Sequence, residues 1–375
     1  MFEKILNCQK CDEIDSDIIN KLHQTHLPII LFGAGLLGKR ALEILSSIGI
    51  TVEGFCDNYP RKWNTLHCNR PVYKLEEWRN KLDDFVVLIS CSEYFSIHSQ
   101  LVESGLSASN IFFCGLTDYY EDGFGDYEYL SLNRQKIEKL YYLLADEKSK
   151  DVLVNVLNFR ISKSIKYLES IFSTEQYFEP GIIELAENEV FLDLGAFDGD
   201  TIIEFHKRTH GKYKQIIAFE PDGANYKELI ANIATINENN KINCLNIGTW
   251  NKKGILKFTG EGTITSSISG DGEHQIQVDT IDGIVKDDPV TFIKMDVESA
   301  EKETIMGARV LLNRFKPKIA VSVYHKKEDI FNIPLLLNEI IPEYKLYLRH
   351  YSQGSPETVC YAVIPATPSL VHCGS

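Results

Sequence analysis

The sequence predicts an α/β protein built from two doubly wound domains in tandem, and three observations carry that reading. Short apolar runs recur along the chain with helical stretches between them, the pattern of parallel strands joined by crossover helices. Two of those runs end in glycine turns that open a helix. Leu27–Phe32 runs into Gly33-Ala-Gly35-Leu-Leu-Gly38, and Val190–Leu194 runs into Gly195-Ala-Phe-Asp-Gly199. Lys345–Arg349 and Thr358–Ile364 flank a Ser-Gln-Gly-Ser-Pro turn and read as a closing antiparallel hairpin. A chain of 375 residues also exceeds one average domain.

Composition narrows the function. Lysine and arginine number 39 against 53 aspartates and glutamates, a formal charge of −14, which argues against a nucleic-acid partner. No stretch has the length and apolarity of a membrane span, and Met1–Lys10 lacks the apolar core of a secretory signal. The nine scattered cysteines fit a reducing compartment, so a cytoplasmic location is expected. Cys8 and Cys11 have metal-knuckle spacing, but no second pair follows, and no metal is expected.

Residues 1–27 are polar, with one weakly helical stretch from Ile14 to Leu22. Residues 28–116 form the first domain. Its strand Leu27–Phe32, the turn on Gly33, Gly35 and Gly38, and Asp57 at the end of Thr51–Cys56 give a second candidate nucleotide site. Phe85–Ser90 and Ile111–Cys114 continue its sheet, with a helix over Tyr94–Ser104 between them. The alternative is a module that keeps the turn for packing and binds nothing, or binds a protein partner. Residues 117–180 read as a helical connector, with Gln176-Tyr-Phe178 placed to fold over a ligand of the next domain.

The second domain, 181–375, carries the more informative turn. Gly195 and Gly199 allow the backbone to approach a ligand where a side chain would collide. Glu220 closes the next strand, Ile216–Phe219, where an acid holds a ribose diol by paired hydrogen bonds. The turn lacks the third glycine of a dinucleotide site, and Asp198 and Asp200 stand where a pyrophosphate would lie. Carboxylates there repel phosphate and suit a cation, which points to S-adenosylmethionine (SAM). Further strands at Ile242–Ile247, Thr291–Met295 and Lys318–Tyr324 complete five parallel strands, with an antiparallel insertion in Lys253–Asp282. Five such strands and a closing hairpin form the layout of a class I SAM-dependent methyltransferase sheet. The expected fold is therefore two Rossmann-like domains, the second of this class.

Ligands of open α/β sheets bind beyond the carboxyl ends of the strands. Those ends carry Asp193–Thr201, Glu220, Asn246–Thr249, Asp296–Glu301 and His325. His325 is the expected general base because an unperturbed imidazole titrates near neutrality. Asp296 would orient the acceptor or the methionine amino group, and Lys294 and Glu298 complete the catalytic cluster. Taken singly, each of these last two reads more readily as part of a solvated or inter-element ion pair. Lys326, Lys327 and Arg349 hint at an anionic acceptor.

Several of these stretches resemble known families. The front glycine turn, Gly54-Phe-Cys-Asp-Asn58 and His67–Val72 are similar to N-terminal sugar-nucleotide-binding domains of bacterial sugar-modifying enzymes. Glu189–Thr201, Phe219–Pro221, Val278–Asp282, Lys294–Glu301, Lys316–His325 and Tyr344–Tyr351 resemble FkbM-type methyltransferases. The second resemblance implies a SAM-dependent O-methyltransferase of polysaccharide or natural-product pathways. It implies SAM at Asp193, Gly195, Gly199, Thr201 and Glu220, with Ala196, Asp198, Asp200 and Pro221 on the same wall and Asp296 at the reacting end. Ser299 departs from the family, which usually has glycine there. The expected substrate is a hydroxyl of a sugar, glycan precursor or related metabolite. The alternatives are an NAD(P)-dependent oxidoreductase using the front domain and a non-catalytic SAM- or nucleotide-binding protein.

Overall fold

The computed structural model describes residues 1–5, 21–91, 93–114, 127–162, 165–236, 240–259, 267–268, 274–354 and 357–365. Cys8, Cys11 and most of the expected helix at Ile14–Leu22 lie outside the described residues. The chain divides into two compact units. One comprises Met1–Arg134, Val154–Phe172 and Ser352–Ser355, and the other Gln135–Leu153, Ser173–Tyr351 and Pro356–Ser375. The stretch expected as a connector is thus shared between them, the boundary falling inside the helix Glu147–Ser162.

The first unit holds six strands: β1 (Ile29–Phe32), β2 (Gly54–Cys56), β3 (Thr65–His67), β4 (Arg70–Tyr73), β5 (Val86–Ile89) and β6 (Ile111–Phe113). Their order is β3-β4-β2-β1-β5-β6, parallel except for the β3–β4 hairpin. Side-chain alternation explains why β1 and β5 are apolar throughout. Ile29 and Leu31 enter one core, with Phe55 and Leu88, while Ile30 and Phe32 enter another, with Val87 and Ile89. Both faces are covered, as in a doubly wound sheet. The β3–β4 connection places Cys68 and Asn69 at φ 49° and 60°, the left-handed pair of a tight hairpin turn. Sequence reading missed that hairpin because Cys-Asn is not one of the usual turn pairs.

The second unit is organised on seven strands: β7 (Val190–Leu194), β8 (Gln215–Phe219), β9 (Ile242–Leu245), β14 (Phe292–Met295), β15 (Lys318–Ser322), β16 (Lys345–His350) and β17 (Thr358–Val363). The order is β16-β17-β15-β14-β7-β8-β9. The strands from β15 to β9 are parallel, and β17 runs antiparallel to both of its neighbours. Phe191 on β7 stacks on Phe205 (4.5 Å between centroids) and on Phe292 (4.9 Å), fixing the helix Asp200–Arg208 against β7 and β14. The insertion forms a separate sheet from β10 (Gly248–Thr249), β11 (Gly254–Thr259), β12 (Ser267–Ile268) and β13 (His274–Asp279), with β11 and β13 antiparallel. From β7 the chain builds the sheet outward through β8 and β9, then returns to place β14 on the other side. That reversal opens a crevice beyond the carboxyl ends of β7 and β14.

Candidate functional site

The glycine turn after β7 is set by backbone geometry. Gly195 has φ +79°, and a Cβ there would lie 1.8 Å from the carbonyl oxygen of Asp296. Gly199 has φ +90°, with the Leu229 side chain 2.9 Å from its missing Cβ. The Gly195 and Ala196 N–H groups donate to Phe219 O, tying the turn to the end of β8. Glu220 completes it. One carboxylate oxygen accepts from Phe197 N at 2.9 Å, and the other from Asp222 N at 2.9 Å. Asn246 donates to the carbonyls of Glu220 and Pro221, holding that corner in place. Burial pushes Glu220 up to about 7, against the pull of its two backbone donors. Asp198 accepts from Asp200 N, and Asp200, on the exposed face, accepts from Thr201 N.

Asp193 and Lys294 answer a different need. The register of β7 and β14 sets the two residues opposite each other, and Lys294 Nζ lies 3.1 Å from Asp193 Oδ1 with both side chains buried. Lys294 also donates to Gly195 O at 2.6 Å. Burial raises Asp193 to about 6, with the Lys294 charge opposing it. The two form a buried ion pair that Lys294 ties to the turn at Gly195.

The ends of β14 and β15 bring together Asp296, Glu298, Glu301 and His325. His325 Nδ1 lies 2.8 Å from Glu301 Oε1, and Nε2 lies 3.3 Å from Asp296 Oδ1 and 3.5 Å from Glu298 Oε2. Glu301 Oε1 also accepts from Val297 N, closing the turn. Tyr177, from the segment expected to fold over the ligand, donates to Asp296 Oδ2 at 2.7 Å. Burial opposes a charge on His325, but Glu301, Asp296 and Glu298 override it and raise the imidazole to about 10. Burial would raise Asp296 too, yet His325, Lys294 and the Tyr177 hydroxyl hold it below the usual carboxylate range.

Backbone strain marks the same turn. Glu298 and Ser299 have φ +51° and +77°, two consecutive left-handed residues without glycine. Lys326 Nζ donates to Ser299 O at 2.6 Å and braces the turn from β15. Arg349 belongs elsewhere. Its side chain is buried between Asp146 and Glu179 at 2.7 and 3.0 Å, so it supports the unit's interior rather than an acceptor pocket. Sequence reading missed Glu357, which accepts from Gln176 and from Tyr324 OH. Its position just before β17 gave no signal.

In the first unit, Gly33 has φ +118°, and Gly38 packs so closely that a Cβ would sit 2.0 Å from Gly33 O. A Cβ on Gly35 would meet nothing within 4 Å. Asp57 is already engaged: Oδ2 accepts from Ala34 N and Lys62 Nζ, and Oδ1 from Tyr59 N, each at 2.8 Å.

A strand order that reverses at β7 and β14, with a glycine turn and a strand-end acid at the reversal, defines a Rossmann-like methyltransferase fold. Residues 193–351 match the family model described as the methyltransferase FkbM domain. A crystal structure of methyltransferase FkbM from Methylobacillus flagellatus KT covers 93% of this chain and 94% of its own at 22% identity, with a TM-score of 0.72, and shares its fold. An rRNA methylase from Streptococcus thermophilus matches 48% of this chain and 90% of its own at 11% identity and TM-score 0.32. A putative rRNA methylase from Clostridium thermocellum matches 55% and 96% at 10% identity and TM-score 0.33. Neither of these two weaker likenesses bears on function. Among curated proteins, none matches.

Proposed function

We propose that the second unit transfers the methyl group of SAM to a hydroxyl of a sugar, glycan precursor or related metabolite. The observation that supports this most is Glu220, fixed by Phe197 N and Asp222 N beside a glycine turn that offers carboxylates and no cation to a phosphate. Glu220 would take the ribose hydroxyls, and Gly195, Ala196 and Gly199 would let the adenosine and its sulfonium lie against the turn. Thr201, Asp198 and Asp200 complete that wall, and Pro221 flanks the ribose.

The acceptor hydroxyl would enter at Asp296, Glu298 and His325. Its oxygen attacks the methyl carbon in line, the electron pair of the breaking C–S bond returns to sulfur, and the hydroxyl proton passes to solvent water. Holding the two partners in line supplies much of the rate. The test pairs binding with turnover. S-adenosylhomocysteine should raise the melting temperature and NAD should not, and labelled methyl from SAM should appear on hydroxylated sugars. Stabilisation by NAD alone would replace this reading with an oxidoreductase.

A further inference from the structure

Of the carboxylates gathered around the end of β14, three are engaged. Asp296 accepts from the Tyr177 hydroxyl, Glu301 from Val297 N beside His325 Nδ1, and Glu357 from Gln176 and Tyr324. Glu298 differs. Among the described residues no hydrogen bond reaches its carboxylate, which stands 3.5 Å from His325 Nε2. Its side chain is 31% exposed, against 19% for Asp296 and 1% for Glu301. Its backbone is left-handed at φ +51°, a conformation that a glutamate keeps only where its surroundings impose it. Lys326 Nζ, on the next carbonyl at Ser299 O, helps to impose it. The second observation is His325 Nε2, a nitrogen that no hydrogen bond reaches on a side chain only 7% exposed. Three carboxylates favour the charged imidazole, which is a donor on both nitrogens. A buried donor without an acceptor, beside a carboxylate without a donor, is a gap that a hydroxylated ligand closes.

We propose that Glu298, and not His325, is the general base of the methyl transfer, with His325 Nε2 donating to an oxygen of the same acceptor. This role rests on the hydroxyl methylation proposed above. The Glu298 carboxylate takes the hydroxyl proton as the oxygen lone pair forms the O–C bond and the C–S pair returns to sulfur. Glu298 then releases the proton to the solvent water that its exposed edge meets. A base serves best when it titrates near the working pH. Burial raises Glu298 to about 8, opposed by His325 at the end of β15 and reinforced by Asp296 after β14, by Glu301 opening the helix Glu301–Gly307 and by Glu357 before β17. Tyr324 and Lys326 complete the titratable groups around the turn. The ionised carboxylate is the active form, so turnover rises with pH through about 8.

The test follows kcat/KM against pH for the full chain, with methyl-labelled SAM and a panel of neutral methyl glycosides. The wild type should show a rising limb near pH 8. Glu298→Gln should lose that limb and about 10²- to 10⁴-fold in rate while still binding S-adenosylhomocysteine, and Glu298→Asp should keep the limb at a lower rate. His325→Gln removes the opposing positive charge and should move the limb to higher pH. A second readout needs no acceptor. Difference infrared spectra between about pH 6 and about pH 10 should show a protonated-carboxyl band lost near pH 8 in the wild type and missing from Glu298→Gln. Identical spectra from the two proteins overturn the proposal, as does a Glu298→Gln enzyme of undiminished rate. A limb that survives Glu298→Gln and vanishes in His325→Gln also overturns it, by giving the base to the imidazole. Those outcomes leave methyl transfer standing; a wild type that binds no S-adenosylhomocysteine, or methylates none of the glycosides, removes the hydroxyl reading and its base together.

Discussion

Gly195→Ala tests whether the glycine turn is fixed by contact with β14. The new Cβ would begin 1.8 Å from Asp296 O and must retreat by about 1.2 Å to reach the 3.0 Å that real Cβ contacts respect. Neither partner is a flexible side-chain tip; both belong to backbone at strand ends. A left-handed alanine costs about 1 kcal/mol, and forcing the strand ends apart adds about 1 to 3 kcal/mol. For a unit of this size the sum lowers the melting temperature by about 5 to 15 °C. The same displacement moves Asp296 relative to the turn, so affinity for S-adenosylhomocysteine should fall in the same variant. Gly35→Ala is the control, because its Cβ meets nothing within 4 Å and its φ is −132°. It should change stability by less than about 0.5 kcal/mol. Scanning calorimetry and isothermal titration read both variants. A Gly195→Ala protein that melts within about 2 °C of wild type and binds normally would show the contact to be slack.

Three further outcomes follow from the same geometry. Lys294→Met strands a buried Asp193 carboxylate and should cost about 3 to 5 kcal/mol in chemical denaturation, with Asp193→Asn added to it restoring much of the loss. Glu220, raised to about 7 by burial, holds its proton more tightly folded than unfolded. Its contribution to the stability of the ligand-free protein is therefore full below the ordinary carboxylate pKa and is lost as pH rises toward and through 7. Binding of S-adenosylhomocysteine needs the ionised acid and should weaken as pH falls below 7; an affinity flat from pH 5.5 to 8 would remove Glu220 from the ribose site. Ser299→Gly relieves a φ of +77° and should raise the melting temperature slightly, while Ser299→Val should lower it by several degrees.

The sheet was legible because its signals are local. Val190–Leu194 reads as a strand from its own apolarity, and Gly195 marks its end through a backbone angle that other residues avoid. The closing hairpin is equally local. What escaped the sequence is pairing between distant segments. That Lys294 and Asp193 face each other shows only once β14 and β7 come into register. Arg349 looks like an acceptor-side cation until Asp146 and Glu179, about two hundred residues away or nearly so, close on it. The surroundings of His325 were hidden from sequence reading for the same reason. Its proton affinity is set by three carboxylates that sequence spacing alone does not place around it.

The position of β17 constrains how the second unit is made. It lies between β15 and β16, and among the described residues β16 pairs with no other strand of the sheet. While a ribosome is still adding residues before Thr358, β15 exposes an open edge and β16 has nowhere in the sheet to dock. The nascent domain therefore presents sticky backbone until translation delivers the strand that fills the gap.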